Sequence, residues 1–449
     1  MHKEDAMTTT ATGSRHARAA ATRQRILSAA HDLFVAHGYR STSLRDIAAA
    51  AAVSHPGLLG HFASKDDLLG EVVAALEADN ESVFSAIAAA AEPGELVFSS
   101  IAERNARTPG YLELFAALTG EASAAGHPAH ARMRERYCRL RSLSVDVLED
   151  AKYHGVIAAD RDVDGETVRH TAGWDGLQLL SQYLPDRVDV VEMLEERENL
   201  WALPVAWRDP DDDPSSDADA AGPLPELRTT ATPDTEPGYA VGRRRRTQIL
   251  ADATRLFARD GYGDTSLQDI ATAVGVSKST LLHHYPSKEL LLSAVLTERD
   301  SAINENQGFS GAASAGEVLR SIPDGAARSA QDEPGLIEVY AVLSCEAVPA
   351  AHPAHDYFAT RFANALEYFT ELFRLAQVDG DLPADRDPRA RSHVAHRDVG
   401  RTAVPVAVRQ GAARHRHAPA RPPRRRAASA LSAAASDQAL TPRRIRRRR

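Results

Sequence analysis

Residues 38–69 read GYRSTSLRDIAAAAAVSHPGLLGHFASKDDLL, and residues 261–292 read GYGDTSLQDIATAVGVSKSTLLHHYPSKELLL. They align without a gap at an offset of 223, inside a longer match of residues 23–69 to 246–292 with about half the positions identical. The economical reading is a duplication, and missing one would misread the whole fold. The similarity returns at an offset of 225. There PGYLELFAALTGEA with HPAH at 127–130 matches PGLIEVYAVLSCEA with HPAH at 352–355, and ADRD at 159–162 matches ADRD at 384–387. Whole domains are therefore repeated, not one short motif.

Each copy opens with helix signals. Ile26, Leu27, Ala30, Leu33 and Phe34 recur at helical spacing, as do Ile249, Leu250, Ala253, Leu256 and Phe257, and Gly38 or Gly261 supplies a left-handed stop. Ser43 with Asp46, and Ser266 with Asp269, form capping boxes that open a second, short helix with Ile47 or Ile270 turned inward. Val53 or Val276 anchors a tight turn, and Ser54 or Ser277 caps a third helix of under two turns. Pro56 is tolerated there because a first-turn amide has no partner to lose. Ser64 or Ser287 then caps a long fourth helix. Two short helices across a turn, the second with a small or polar exposed start, describe a helix-turn-helix able to enter a major groove.

These residues resemble the N-terminal helix-turn-helix of the TetR family of transcriptional regulators, and the chain is similar to a tandem pair of them. The resemblance implies an all-α protein of two units. Each unit has a three-helix DNA-binding head and a C-terminal helical bundle that houses a ligand pocket and dimerises. The expected order is a disordered N-terminus (1–15), head one (16–70), bundle one (71–207), a linker (208–242), head two (243–293), a truncated bundle two (294–395) and a disordered Arg/Ala/Pro-rich tail (396–449). The function implied is ligand-responsive transcriptional regulation, as a repressor, on an operator with unlike half-sites. The partners implied are double-stranded DNA, an unknown small-molecule effector, and either an intramolecular pseudo-dimer or a homodimer.

Roles carry over residue by residue. In head two Lys278, Ser279 and Thr280 open the third helix; Lys donates to guanine, hydroxyls serve either base type, and a Thr methyl can touch thymine. His284 and Tyr285 match the His-aromatic pair with which the family touches phosphates, and Lys288, at a helix start, is expected to clamp another. Thr42 and Thr265, beside the second helix, are included as DNA contacts. Head one departs from this pattern, with His55, Pro56 and Gly57 for the Lys, Ser and Thr, and Gly60 for His283. It keeps His61, Phe62 and Lys65, so phosphate anchoring is expected to survive while base reading rests on His55 and the close approach that Gly57 permits. Arg15, Arg18, Arg23 and Arg25, and the run Arg243 to Arg246, precede the heads and suit arms along phosphates or in the minor groove.

Other features bound the alternatives. The chain has 449 residues, enough for more than one core, and two cysteines, Cys138 and Cys345, in unrelated contexts, so a disulfide framework is not expected. No leader-like apolar region opens it and no stretch suits a membrane span, so a soluble, cytoplasmic chain is expected. There is no G-x-S-x-G, Gly-rich phosphate loop or H-E-x-x-H, and neither an enzyme nor a cofactor is expected. The repeated HPAH, with Glu121 or Glu346 upstream, invites a metal-sensor reading, but the intervening Pro and a missing third ligand favour a loop running into a helix. A further alternative is that one head has decayed and the chain works as a homodimer or a protein-association module.

Net charge is −9, yet from His396 onward 15 Arg face only Asp398 and Asp437, about +13, leaving about −22 for the rest. That tail stands where copy one has TAGWDGLQLLSQYLPDRVDVVEMLEERENL at 171–200, the last two helices, which the family uses to dimerise. Written as CAC CGC GAC GTG GGA CGG ACT GCA and read one nucleotide later with a closing G, His396 to Ala403 becomes TATWDGLQ. This matches Thr171, Ala172 and Trp174 to Gln178 at the same offset of 225. The tail therefore reads as frameshifted from His396 or before. An exposed apolar face around Trp174, Leu177 and Leu180 of copy one is expected to follow.

Overall fold

A computed structural model describes residues 4–205, 207, 223–228, 240–306, 314–332, 334–383 and 386. The Arg-rich tail with its frame reading, and most of the linker, lie outside these residues. The described chain is helical, with no strand among the described residues. Copy one comprises α1 (Glu4–Ser41), α2 (Leu44–Ala50), α3 (His55–Leu59), α4 (Lys65–Ala90), α5 (Phe98–Ala106), α6 (Tyr111–Glu121), α7 (His130–Tyr153), α8 (Val163–Tyr183) and α9 (Val190–Trp201). Copy two comprises α10 (Ala240–Asp264), α11 (Leu267–Val274), α12 (Lys278–His284), α13 (Lys288–Asn306), α14 (Ala315–Asp332), α15 (Pro334–Glu346) and α16 (His355–Val378). None of these helices is long and apolar enough to cross a membrane.

The apolar periodicity becomes the two head cores. Ile26, Ala30, Phe34, Ile47 and Leu58 are buried together, and Ile249, Ala253, Phe257, Ile270 and Leu281 repeat them. Gly38 and Gly261 interrupt the helical backbone as expected, with φ of 79° and 76°, a region open to glycine at little cost, and α1 and α10 resume beyond the kink for three residues. The helix α1 also begins at Glu4, inside the stretch expected to be disordered.

The two copies pack on each other, α6 against α15 and α8 against α16. Gly120 lets the first pair approach closely: a β-carbon there would lie 2.6 Å from the Ala341 carbonyl and against the Cys345 thiol. At the end of α8, Tyr183 donates to the Ser344 carbonyl of α15 at 2.7 Å and stacks on His355 of α16. This corrects the expectation of an exposed face on copy one. Leu177 and Leu180 are buried in one core with Phe358 and Phe362 of copy two, and Trp174 is half-buried against it. The covering surface comes from α16 itself, upstream of the tail.

The HPAH segments form corners. In each copy the first His accepts a backbone N–H at Nδ1, from Ala129 or Ala354 at 3.2 Å. The second His donates from Nδ1 to the end of the preceding helix, the Ala122 carbonyl at 2.8 Å or the Ala347 carbonyl at 3.0 Å.

Candidate nucleic-acid interface

In head two, Ser266 and Asp269 close the expected capping box, with Asp269 N donating to Ser266 Oγ at 3.1 Å and Ser266 N to Asp269 Oδ2 at 3.0 Å. These bonds hold the Asp269 carboxyl below its usual range. Gly275 turns the chain at φ 74°, and Ser277 caps α12 by accepting from Thr280 N at 3.1 Å. Leu281, fully buried, pins the back of α12, which leaves Lys278, Ser279, Thr280 and His283 exposed on the front. The Ser277 hydroxyl lies 2.8 Å from those of both Ser279 and Thr280, a small network that orders the helix start.

Behind this front the described cations are grouped. Arg246 lies 5.4 Å over the Tyr285 ring. His284 is half-buried, and burial, then His283, Arg246 and Arg245, push its pKa below the ordinary histidine value. An anion such as a phosphate would relieve the charge part of that shift. Lys288 Nζ sits 3.4 Å from the Gly263 carbonyl and 4.1 Å over the Tyr262 ring, and burial lowers its pKa.

Head one repeats the frame with different chemistry at the front. Ser54 caps α3 by accepting from Gly57 N at 3.1 Å, and Leu58 is buried where head two has Leu281. Pro56, Gly57, Leu59 and Gly60 are exposed, and His55 and His61 half-buried. Arg23 lies 4.9 Å over Phe62, as Arg246 lies over Tyr285. Lys65 donates to the Tyr39 and Thr42 carbonyls, each at 3.0 Å, and sits 4.3 Å over Tyr39.

Not every residue expected to touch DNA faces outward. Thr42 and Thr265 are buried at 3 % and 1 % exposure, their hydroxyls donating to the Gly38 and Gly261 carbonyls at 2.8 and 2.7 Å. They brace the bend of α1 and α10. The rings of Phe62 and Tyr285 are buried too, because α3 and α12 each need an apolar anchor at their ends. Both lysines are drawn toward backbone carbonyls just past the bend.

Three further residues in each copy were not anticipated at this interface. Tyr39 and Tyr262 receive the lysines described above. Glu346 accepts from Tyr262 N and Gly263 N, at 2.6 and 2.5 Å, and so ties α15 to the bend of head two. Glu121 occupies the matching place, buried 3.5 Å from His127, within reach of Gly38. His352 meets the Tyr262 ring edge-on at 5.0 Å, as His127 meets Tyr39 at 5.2 Å. The signal was present: GY and the Glu before each HPAH recur at the repeat offsets, but nothing local says that they meet.

The sequence pattern of bacterial regulatory proteins of the TetR family matches residues 26–72 and 249–295, the two heads just described. An HTH-type transcriptional repressor of Mycobacterium tuberculosis is 36% identical over 70 residues, 15% of this chain and 37% of that protein. The HTH-type transcriptional repressor KstR2 of Rhodococcus jostii is 42% identical over 52 residues, 12% of this chain and 26% of that protein. The chain thus spans well under two thirds of the length of these curated relatives. A crystal structure of a TetR-family transcriptional regulator from a Rhodococcus species aligns with 37% of this chain and 95% of its own, at 23% identity and a TM-score of 0.28. The TetR-family head pattern thus occurs twice in this chain, in tandem, each time on the same helical frame.

Proposed function

We propose that the chain is a ligand-responsive, DNA-binding transcriptional regulator, a repressor, whose two heads read an operator with unlike half-sites. The observation that carries this reading is the front of α12, where Lys278, Ser279 and Thr280 stand exposed on a helix pinned from behind by Leu281. Lys278 is the donor to a guanine edge, and Ser279 and Thr280 serve the neighbouring bases. His284 and Lys288, with His61 and Lys65 in head one, meet phosphates and set the register. Phe62, Tyr285, Thr42 and Thr265 act from inside, holding these groups in place. Head one brings His55 and the bare backbone of Gly57 to its half-site, so the two half-sites differ.

The packing of α6 on α15 and α8 on α16 supports a pseudo-dimer within one chain, working in the cytoplasm. The repressor names of the matched relatives support the sign of the response. Ligand binding in a bundle would change the separation of the heads and release DNA, by differential affinity for two states. The test is selection of bound sites from a random duplex pool, with the chain as written and with a version whose frame is restored from residue 396. Two unlike half-sites are expected. A palindrome recovered with both forms would mean that one head pairs between chains and would sink the tandem mechanism.

A further inference from the structure

The helices α4 to α8 of copy one enclose a cavity of about 110 Å³, walled by Phe84, Phe98, Phe115, Leu140, Leu143 and Trp174. Polar side chains share the wall with these apolar ones, and a few of their atoms are unmatched. Asn105, 3 % exposed, lines it with a buried side-chain oxygen that has no hydrogen-bond partner in the protein. The Glu77 carboxylate stands 3.5 to 3.7 Å from Arg132, Arg136 and Arg139, with Oε1 buried and without a hydrogen bond. Tyr111 Oη accepts from both Asn80 Nδ2 and Arg136, each at 2.9 Å, which leaves its own proton to offer. A buried polar atom left without a partner is costly, so the Asn105 oxygen is better met than bare.

Copy two differs at the corresponding positions of the described residues. At the repeat offset of 225, Met133, Tyr137, Leu143 and Ser144 become Phe358, Phe362, Tyr368 and Phe369, and all four rings are buried. At the offset of 223, Glu77 becomes Asp300, which accepts directly from Arg361 Nε at 3.2 Å, Arg361 being the counterpart of Arg136. At three of these positions an aromatic side chain in copy two thus replaces a non-aromatic one in copy one.

We propose that the chain takes one effector, in the copy-one cavity, and that this effector is a small, mostly apolar molecule carrying a hydroxyl or amide that both donates and accepts. The donor meets the Asn105 oxygen, and the acceptor meets the Tyr111 hydroxyl. This rests on the ligand-responsive reading above, but it is tested without DNA, so either can fail alone. Operator selection judges the regulator, and the titration below judges the cavity.

The probes are p-cresol, its isostere p-xylene, and 4-methylanisole, which accepts but cannot donate, titrated calorimetrically into the full chain. p-Cresol is expected to bind at one per chain, about tenfold more tightly than either analogue, since one to two net hydrogen bonds separate them. Met133→Phe, which installs the copy-two residue, should abolish binding while the melting temperature holds or rises. Ser144→Phe provides the same test at a second position should the first variant misfold. Asn105→Leu should bring p-cresol down to the level of 4-methylanisole and leave p-xylene unchanged. Two molecules per chain, equal affinities, no binding, or binding that survives filling of the cavity in a folded variant would each overturn the proposal.

Discussion

In head two the turn before α12 passes through Gly275 at φ 74°, and in head one the same turn passes through Ala52 at φ 52°. Ala52 is the one residue other than glycine with positive φ among the described residues, and its side chain crowds the backbone there. The buried positions, by contrast, agree: Ile47 with Ile270, Leu58 with Leu281, and the braces Thr42 and Thr265. Two copies of one frame have kept what packs and diverged on the surface, and head one tolerates a strain that head two avoids. The difference teaches that the fold of a head and its reading of a partner are written in different residues. His55, Pro56 and Gly57 can replace Lys278, Ser279 and Thr280 without disturbing Leu58.

The sharpest way to break this comparison is at the reading surface. Lys278→Ala should weaken binding to the selected duplex by about 10- to 100-fold, from about 1–3 kcal/mol for a lost bidentate contact. His55→Ala should cost less than about threefold; fluorescence anisotropy on one duplex measures both, and equal losses would show that the heads read alike. Acid provides the next test. Burial, then Lys288 and His355, push His352 down to about 4 in the folded chain. Between about 6.5 and 4 the unfolded chain therefore holds a proton that the folded chain refuses, and stability falls as pH drops through that window. With solvent screening the loss is about 1–2 kcal/mol. His352→Gln, which keeps an acceptor for Ala354 N, should flatten this part of the denaturation profile; an unchanged slope would place the acid sensitivity elsewhere. The smallest effect is at the turns. Ala52→Gly should stabilise by about 1 kcal/mol and Gly275→Ala destabilise by about as much, in thermal unfolding. Changes of the same sign would show that the two turns do not share one geometry.

The heads were legible because their signals are local. The spacing of Ile26, Ala30 and Phe34, the Ser43–Asp46 box and the Ser54 cap each act within a few residues, and the structure places them as expected. What escaped depends on partners far along the chain. The burial of the Tyr285 and Phe62 rings escapes local reading, because only the assembled head shows that α12 and α3 need those rings inside. The face of Trp174, Leu177 and Leu180 has no partner in the sequence of the tail, while in the fold Phe358 and Phe362 on α16 cover it. Gly120 and Cys345 carry no local signal of the crossing they form. The copy-one cavity emerges only when Met133 and Ser144 are set beside Phe358 and Phe369 in three dimensions.

That crossing bears on how the chain tells its own second copy from a neighbour's first. The α6 side contributes a bare backbone at Gly120, and the α15 side a thiol that fills the space so left. Two α6 helices from different chains, crossed at the same register, would leave a gap where neither brings a side chain. Two α15 helices would press sulfur against sulfur. Unlike pairing alone fills the crossing once, and the covalent tether supplies the unlike partner at high local concentration. A duplication that began with two identical surfaces has, at this one contact, become a lock and a key that no longer fit themselves.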